Sequence, residues 1–215
     1  MSATPKRALI VIDVQNEYVS GNLLIEYPPA QESLVNIGLA MDAAHAAGIP
    51  IVVVQHDEAE VAPIFAKGSK GWALHPVVAE RPRSHLINKT MPSVFAHTDF
   101  SHWLAENQID TLTIVGYMTH NCNASTIYHA KHAGFAVELL ADATGALPYL
   151  NDAGSVTAGE IHRVFNVVFH TNFAAVQNTA DWIVAAKNGQ ATQRDGIIAS
   201  NQRAREHARK NVIAA

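Results

Sequence analysis

The chain has 215 residues, 48% of them apolar, and a formal charge of −4 at pH 7. That length sustains one domain with a full hydrophobic core, and the mildly negative balance excludes a general nucleic-acid or anionic-membrane binder. The single cysteine, Cys122, cannot form an internal disulfide and fits a reducing cytoplasm. Asp13 ends the apolar run from Ala8 too early for a signal peptide or a membrane span.

Ala8 to Val14 is an apolar, β-branched run ending at an acid, Asp13; it is predicted to be a buried strand and is followed by the polar loop Gln15-Asn-Glu17. Gln31 to Ala47 is predicted helical and is closed by Gly48-Ile-Pro50. Ile51 to Val54 gives a second strand. An irregular stretch from His56 to about Pro82 precedes a short third strand, Leu86-Ile87, which Asn88-Lys89 follow. Asp99 to Asn107 reads as a helix with Asp99 as its N-cap. Leu112 to Val115 is the fourth strand, and a helix starts at or just after Cys122. Phe135 to Leu140 is the fifth strand. Thr157-Ala-Gly-Glu160 is a capping-box pattern, behind which Ile161, Val164, Phe165, Val168 and Phe169 share a helical face. Ala174 to Val176 is a candidate sixth strand and Asp181 to Lys187 a last helix. From about Gly189 the composition turns to Gln, Arg and Ala.

Strands without alternation, separated by helices, predict a doubly wound α/β fold: a mostly parallel, five- to six-stranded sheet with helices on both faces. Residues 1–188 form that domain. Residues 189–215 are a frayed tail or an oligomerisation arm, the apolar pairs Ile197-Ile198 and Val212-Ile213 favouring the arm. In such sheets ligands bind beyond the C-terminal strand ends. Asp13, Lys89 and Cys122 all fall at such ends.

Each of the three has a plain structural alternative: Asp13 as a helix cap, Lys89 as a surface lysine, Cys122 as buried filler. Their joint placement suggests acyl transfer instead. A thiol at a helix N-terminus is biased toward the thiolate. A carboxylate takes its proton and passes it to the leaving amine, and a lysine holds the anionic forms. The oxyanion donors would be backbone N–H groups of the turn, those of Met118 and Cys122.

Three separated segments resemble the isochorismatase-like cysteine hydrolases: Ala8-Leu-Ile-Val-Ile-Asp-Val-Gln-Asn-Glu-Tyr18, Ile87-Asn-Lys-Thr-Met-Pro-Ser-Val-Phe95 with Thr98-Asp-Phe100, and Val115-Gly-Tyr-Met-Thr-His-Asn-Cys122. Gly134-Phe135 and Ala141-Asp-Ala143 also fit, so the resemblance runs from Lys6 to Lys187. It implies a triad of Cys122, Asp13 and Lys89, a cis peptide at Tyr117–Met118, and a homodimer or homotetramer. The family includes nicotinamidases, N-carbamoyl amidohydrolases, ureidoacrylate and maleamate hydrolases, and streptothricin hydrolase-like enzymes. Members that cleave a vinyl ether lack the cysteine, so Cys122 points to C–N cleavage.

Two departures stand out. Asn123 occupies a position that is usually Val in the family. Gln55-His-Asp-Glu58 stands where nicotinamidases carry a metal-binding Asp-x-His, so no metal and no cofactor is expected. His129 and His132 share a helix face and read as a solvated or packed pair. The pocket is expected to be lined by Tyr18, Leu23, Trp72, Phe95, Tyr117 and His120, for a small-molecule amide. Rival folds lack their signatures. No Gly-x-Gly-x-x-Gly follows the first strand, no Gly-x-Ser-x-Gly elbow occurs, and Ile12 stands where a receiver domain would carry a second acid. A non-catalytic binding protein on the same fold stays open.

Overall fold

Six strands run parallel in one sheet: β1 (Arg7–Ile12), β2 (Ile51–His56), β3 (His85–Lys89), β4 (Thr111–Tyr117), β5 (Ala136–Gly145) and, sixth in the sheet, β8 (Ala175–Gln177), in the order β3-β2-β1-β4-β5-β8. The computed structural model describes residues 4–213, with side chains through Lys210. A small antiparallel hairpin, β6 (Tyr149–Asn151) and β7 (Gly154–Val156), lies outside the sheet and has no counterpart in the sequence reading. Its strands are three residues long and almost wholly exposed, so no buried periodicity announces it. No helix among the described residues is long and apolar enough to cross a membrane.

The reversal of strand order between β1 and β4 makes a topological switch point, the usual place for a ligand in a doubly wound sheet. Alternate residues of the buried strands point to opposite layers. On one side Leu9, Val11, Val53 and Val115 pack with Ile37 and Met41 of α2 (Ala30–Ala46) and Trp182 of α7 (Thr179–Lys187). On the other, Ile10, Ile12, Val52, Val54 and Ile114 pack with α4 (Phe100–Glu106), α5 (Ala124–His132) and α6 (Ala158–Asn172), through Phe100, Leu104, Ile127 and Phe169.

Several element ends differ from expectation. β1 stops at Ile12 because Asp13 takes a left-handed backbone, φ 50°. β2 runs on to His56, which pairs in register with Lys89. β5 is longer than its apolar run, with a register shift opposite Ile114 to Gly116. Asp99 does not cap α4 through its side chain; its carboxylate meets His85 Nε2 at 3.0 Å instead. The capping box forms: Glu160 N–H donates to Thr157 Oγ1 and Thr157 N–H to Glu160 Oε2. The buried face of α6 is rotated from the expected one, with Ile161, His162 and Phe169 inside and Val164 and Val168 exposed.

The N-terminal end of the sheet is closed by a buried network. Arg7 clamps Glu138, with Nη2 to Oε1 at 2.8 Å. Thr113 Oγ1, Trp182 Nε1 and Thr192 Oγ1 donate to the same carboxylate at 2.6, 2.8 and 3.0 Å. Arg7 also donates to the Gln190 carbonyl, so the segment after α7 is tied to the sheet before α8 (Ile197–Ile213) begins. The expected tail is thus anchored and then helical, and its described side chains from 201 to 210 are all exposed. The side chains of Val212 and Ile213 lie outside the described ones. Removing one partner of a buried pair strands the other charge. Arg7→Met should therefore lower unfolding free energy by about 3–5 kcal/mol in urea denaturation, and a loss below about 1 kcal/mol would show the network to be dispensable.

Candidate active site

Gly116 sets the geometry of the switch point. Its φ is +101°, and a Cβ there would sit 2.1 Å from the Ile12 carbonyl oxygen. Only glycine lets β4 approach the end of β1 this closely. The chain then turns through the Tyr117–Met118 peptide, which is cis, into a single π-helical turn, Thr119–Asn123, that leads into α5. The Met118 carbonyl accepts from the N–H groups of Asn121 and Asn123, at 3.1 and 3.2 Å. Cys122 therefore sits inside this turn rather than on the first turn of the α-helix.

Asp13, Lys89 and Cys122 come together at the strand ends. Lys89 Nζ lies 2.7 Å from Asp13 Oδ2, with both side chains fully buried, and 3.4 Å from Cys122 Sγ. The Asp13 carboxylate thus faces only two groups, the Lys89 ammonium and the Cys122 thiol. Burial is the largest influence on Lys89 and would lower its pKa, but the charges and hydrogen bonds of Asp13 and Cys122 together outweigh it, so the net direction is up and the side chain stays an ammonium.

Burial raises the Cys122 pKa well above the ordinary thiol range, and the Asp13 charge adds to that; Lys89 offsets it only in part. This corrects the expectation of a stabilised thiolate. The thiol is 5% exposed and faces a carboxylate, and desolvation outweighs the dipole of one irregular turn. With a single cysteine, the thiolate absorbance near 240 nm should show no step up to about pH 8.5, the ordinary thiol value. A step near neutral pH would overturn this ordering.

A cleft of about 270 Å³ opens over Cys122. Tyr18, Leu23, His56, Glu58, Ile64, Phe65, Thr90, Pro92, Met118 and Asn121 line it. A larger cavity, about 490 Å³, touches Thr111 and Glu138 at the opposite end of the sheet, away from Cys122. Of the expected pocket residues, Tyr18 and Leu23 line the cleft and four others do not. Tyr117 lies behind Tyr18, fully buried, its hydroxyl 2.6 Å from Ser33 Oγ and its pKa pushed up to about 12 by burial. Phe95 is core, stacked on His129 with ring centres 4.4 Å apart. Trp72 is held aside by its Nε1–H donating to Asp57 at 2.7 Å. His120 meets the Tyr149 hydroxyl at 2.9 Å, and burial lowers its pKa to about 4. Asn123 also faces away: its Nδ2 donates to the Gly116 carbonyl at 2.8 Å and fastens the turn to β4.

The sequence reading missed His56 and Glu58. His56 Nδ1 lies 3.2 Å from Lys89 Nζ, and its Nε2 3.0 Å from Glu58 Oε1. The signal was present as two polar residues, spaced i and i+2, running off the end of an apolar strand. Among the described residues no group of three or more His, Cys, Asp or Glu side chains is arranged to hold a metal ion. His56 is engaged with Lys89 on one ring nitrogen and with Glu58 on the other.

Comparison with known proteins agrees with this architecture. An isochorismatase-type protein of Burkholderia xenovorans LB400, known from a crystal structure, is 59% identical, with a TM-score of 0.95 over 96% of this chain and 99% of that one. A streptothricin hydrolase of Streptomyces noursei is 34% identical over 137 residues, 64% of this chain and 49% of that protein. A ureidoacrylate amidohydrolase of Pseudomonas savastanoi pv. phaseolicola is 28% identical over 170 residues, 64% of this chain and 69% of that protein. The isochorismatase domain model matches residues 7–181, and the chain belongs to the isochorismatase family of hydrolases.

Proposed function

We propose that the protein hydrolyses a C–N bond, amide or ureido, of a small molecule through a thioester intermediate on Cys122. The observation that carries this reading is the buried Asp13–Lys89 pair in contact with the one thiol, beneath an open cleft. Amidohydrolases among the relatives support the same bond type.

Because the thiol is protonated at rest, attack requires a base at the moment of bond formation. Asp13 serves: it takes the Cys122 proton as Sγ adds to the carbonyl carbon, then hands it to the leaving nitrogen. Its carboxylate faces the Cys122 thiol directly, so the proton has a short path. Lys89, in contact with both Asp13 and the sulfur, offsets charge that develops on sulfur. The Asn121 and Asn123 N–H groups are occupied by Met118, and the Met118 and Cys122 N–H groups are assigned to the oxyanion. Water then attacks the thioester, Asp13 accepts its proton, and the acid and the thiol are released.

Cys122→Ala and Cys122→Ser should fold normally yet abolish ammonia release from a panel of small amides and ureido compounds; near-wild-type turnover by either removes the covalent route. Asp13→Asn keeps shape and removes charge. Its rate should fall on the order of a hundredfold or more, and a change within a few-fold would leave Asp13 a structural role only.

We further propose a homodimer or homotetramer in which α8 packs on a neighbouring subunit. A helix whose described side chains from 201 to 210 are all exposed, on a chain segment firmly anchored through Gln190 and Thr192, is placed to be covered. Truncation after Lys187 should reduce the mass measured by light scattering and the melting temperature. An unchanged mass, or a full-length monomer at micromolar concentration, refutes this.

A further inference from the structure

Beyond the reaction class, the charges around the cleft constrain the substrate. The ammonium of Lys89 is spent on Asp13, Cys122 and His56. An ammonium has no acceptor, so His56 Nδ1 is the accepting atom of that contact and the ring proton sits on Nε2, facing Glu58. The imidazole thus brings no formal charge to the cleft. Glu58 remains: its carboxylate is 44% exposed, and it is the one formally charged residue among those that line the cleft. The neighbouring acid, Asp57, is already matched by Lys67 at 3.5 Å. The cleft walls are otherwise the rings of Tyr18 and Phe65, the side chains of Leu23, Ile64, Pro92 and Met118, and the polar Thr90 and Asn121.

No arginine or lysine lines this cleft, so a substrate carboxylate would meet Glu58, and the Asp13–Lys89 pair behind Cys122 offers it no spare cation. A substrate cation would meet a carboxylate and two aromatic faces. We propose that Glu58 is a specificity determinant that selects small amides bearing a positive charge remote from the scissile bond and rejects those bearing a carboxylate. This rests on the reading of Cys122 as the reacting residue for the amide-cleaving role, but the charge preference of the cleft can be measured without any turnover.

Cys122 is the only thiol, so methanethiosulfonate reagents of matched size and different charge report directly on the field around it. In each case Asp13 takes the thiol proton as Cys122 sulfur attacks the reagent's sulfenyl sulfur; a disulfide forms, methanesulfinate leaves with the electron pair, and the proton passes from Asp13 to solvent. Rates for ethylammonium, propyl and ethylsulfonate reagents are followed by intact mass at about pH 7.5, where the amine is a cation, each divided by its rate with a small uncharged thiol. The cationic reagent should exceed the anionic one roughly tenfold or more, as expected for one partly solvated carboxylate acting on charges of opposite sign. The ratio should shrink severalfold in 1 M salt and in Glu58→Gln, whose fold is checked by circular dichroism. Equal rates, a faster anionic reagent, an unchanged ratio in Glu58→Gln, or no reaction with any of the three overturns the proposal. In parallel, pentanamide, 5-aminopentanamide and glutaric acid monoamide are assayed for ammonia release. The charge order with the reagents but no hydrolysis of any amide refutes the amidase reading alone. Hydrolysis without the charge order refutes the selectivity alone.

Discussion

A carboxylate and an ammonium, both fully buried and 2.7 Å apart, sit where the first and third strands end. Taking either charge out of water costs several kcal/mol, so neither is tolerable without the other. The fold brings them together through strand register. β2 is hydrogen-bonded between β1 and β3, and Val54, which pairs with Ile12, also pairs with Ile87, two residues before Lys89. Gly116 then lets β4 lie against Ile12 closely enough for the following turn to carry Cys122 to the same point. Parallel strands align their C-terminal ends, which is why three residues far apart in sequence converge.

That pair also governs the state of the thiol. A helix N-terminus was expected to favour the thiolate, but the dipole of a short π-helical turn acts on a sulfur that has lost its water and faces a carboxylate. Desolvation and Asp13 both favour the proton staying on sulfur, and Lys89 opposes them only in part. The nucleophile is therefore made during attack rather than stored beforehand, which shifts the weight of the proposed chemistry from Cys122 alone to the relation between Cys122 and Asp13.

The parallel sheet, its covering helices and the three strand-end residues were legible because each rests on a local pattern: continuous apolar strands, a capping box, a reactive side chain at an apolar run's end. The pocket lining was not. Tyr117, Phe95, Trp72 and His120 were chosen as aromatics near the motifs, and aromatic type does not say which way a ring points. Tyr117 turns into the layer beneath α2, and Phe95 stacks on His129, the residue read as a solvated or packed partner of His132. Phe65, which does line the cleft, lies in an irregular segment with no periodicity and has a left-handed backbone, φ 49°. The α6 face was misjudged by part of a turn because exposed valines, Val164 and Val168, are apolar in sequence but face outward.

The two ends of the sheet show how differently one chain can treat a buried carboxylate. Glu138 is saturated by donors from Arg7, Thr113, Trp182 and Thr192. Its work is to lock the N-terminal strand ends and the segment after α7 in place. Asp13 is equally buried but has only one cation and one thiol beside it. An under-satisfied buried acceptor lowers stability unless something else requires it. Adding donors around Asp13 would remove that cost and, with it, the basicity the proposed chemistry needs. The contrast between the two acids locates where this fold gives up stability, and it is the end of the sheet that opens to solvent.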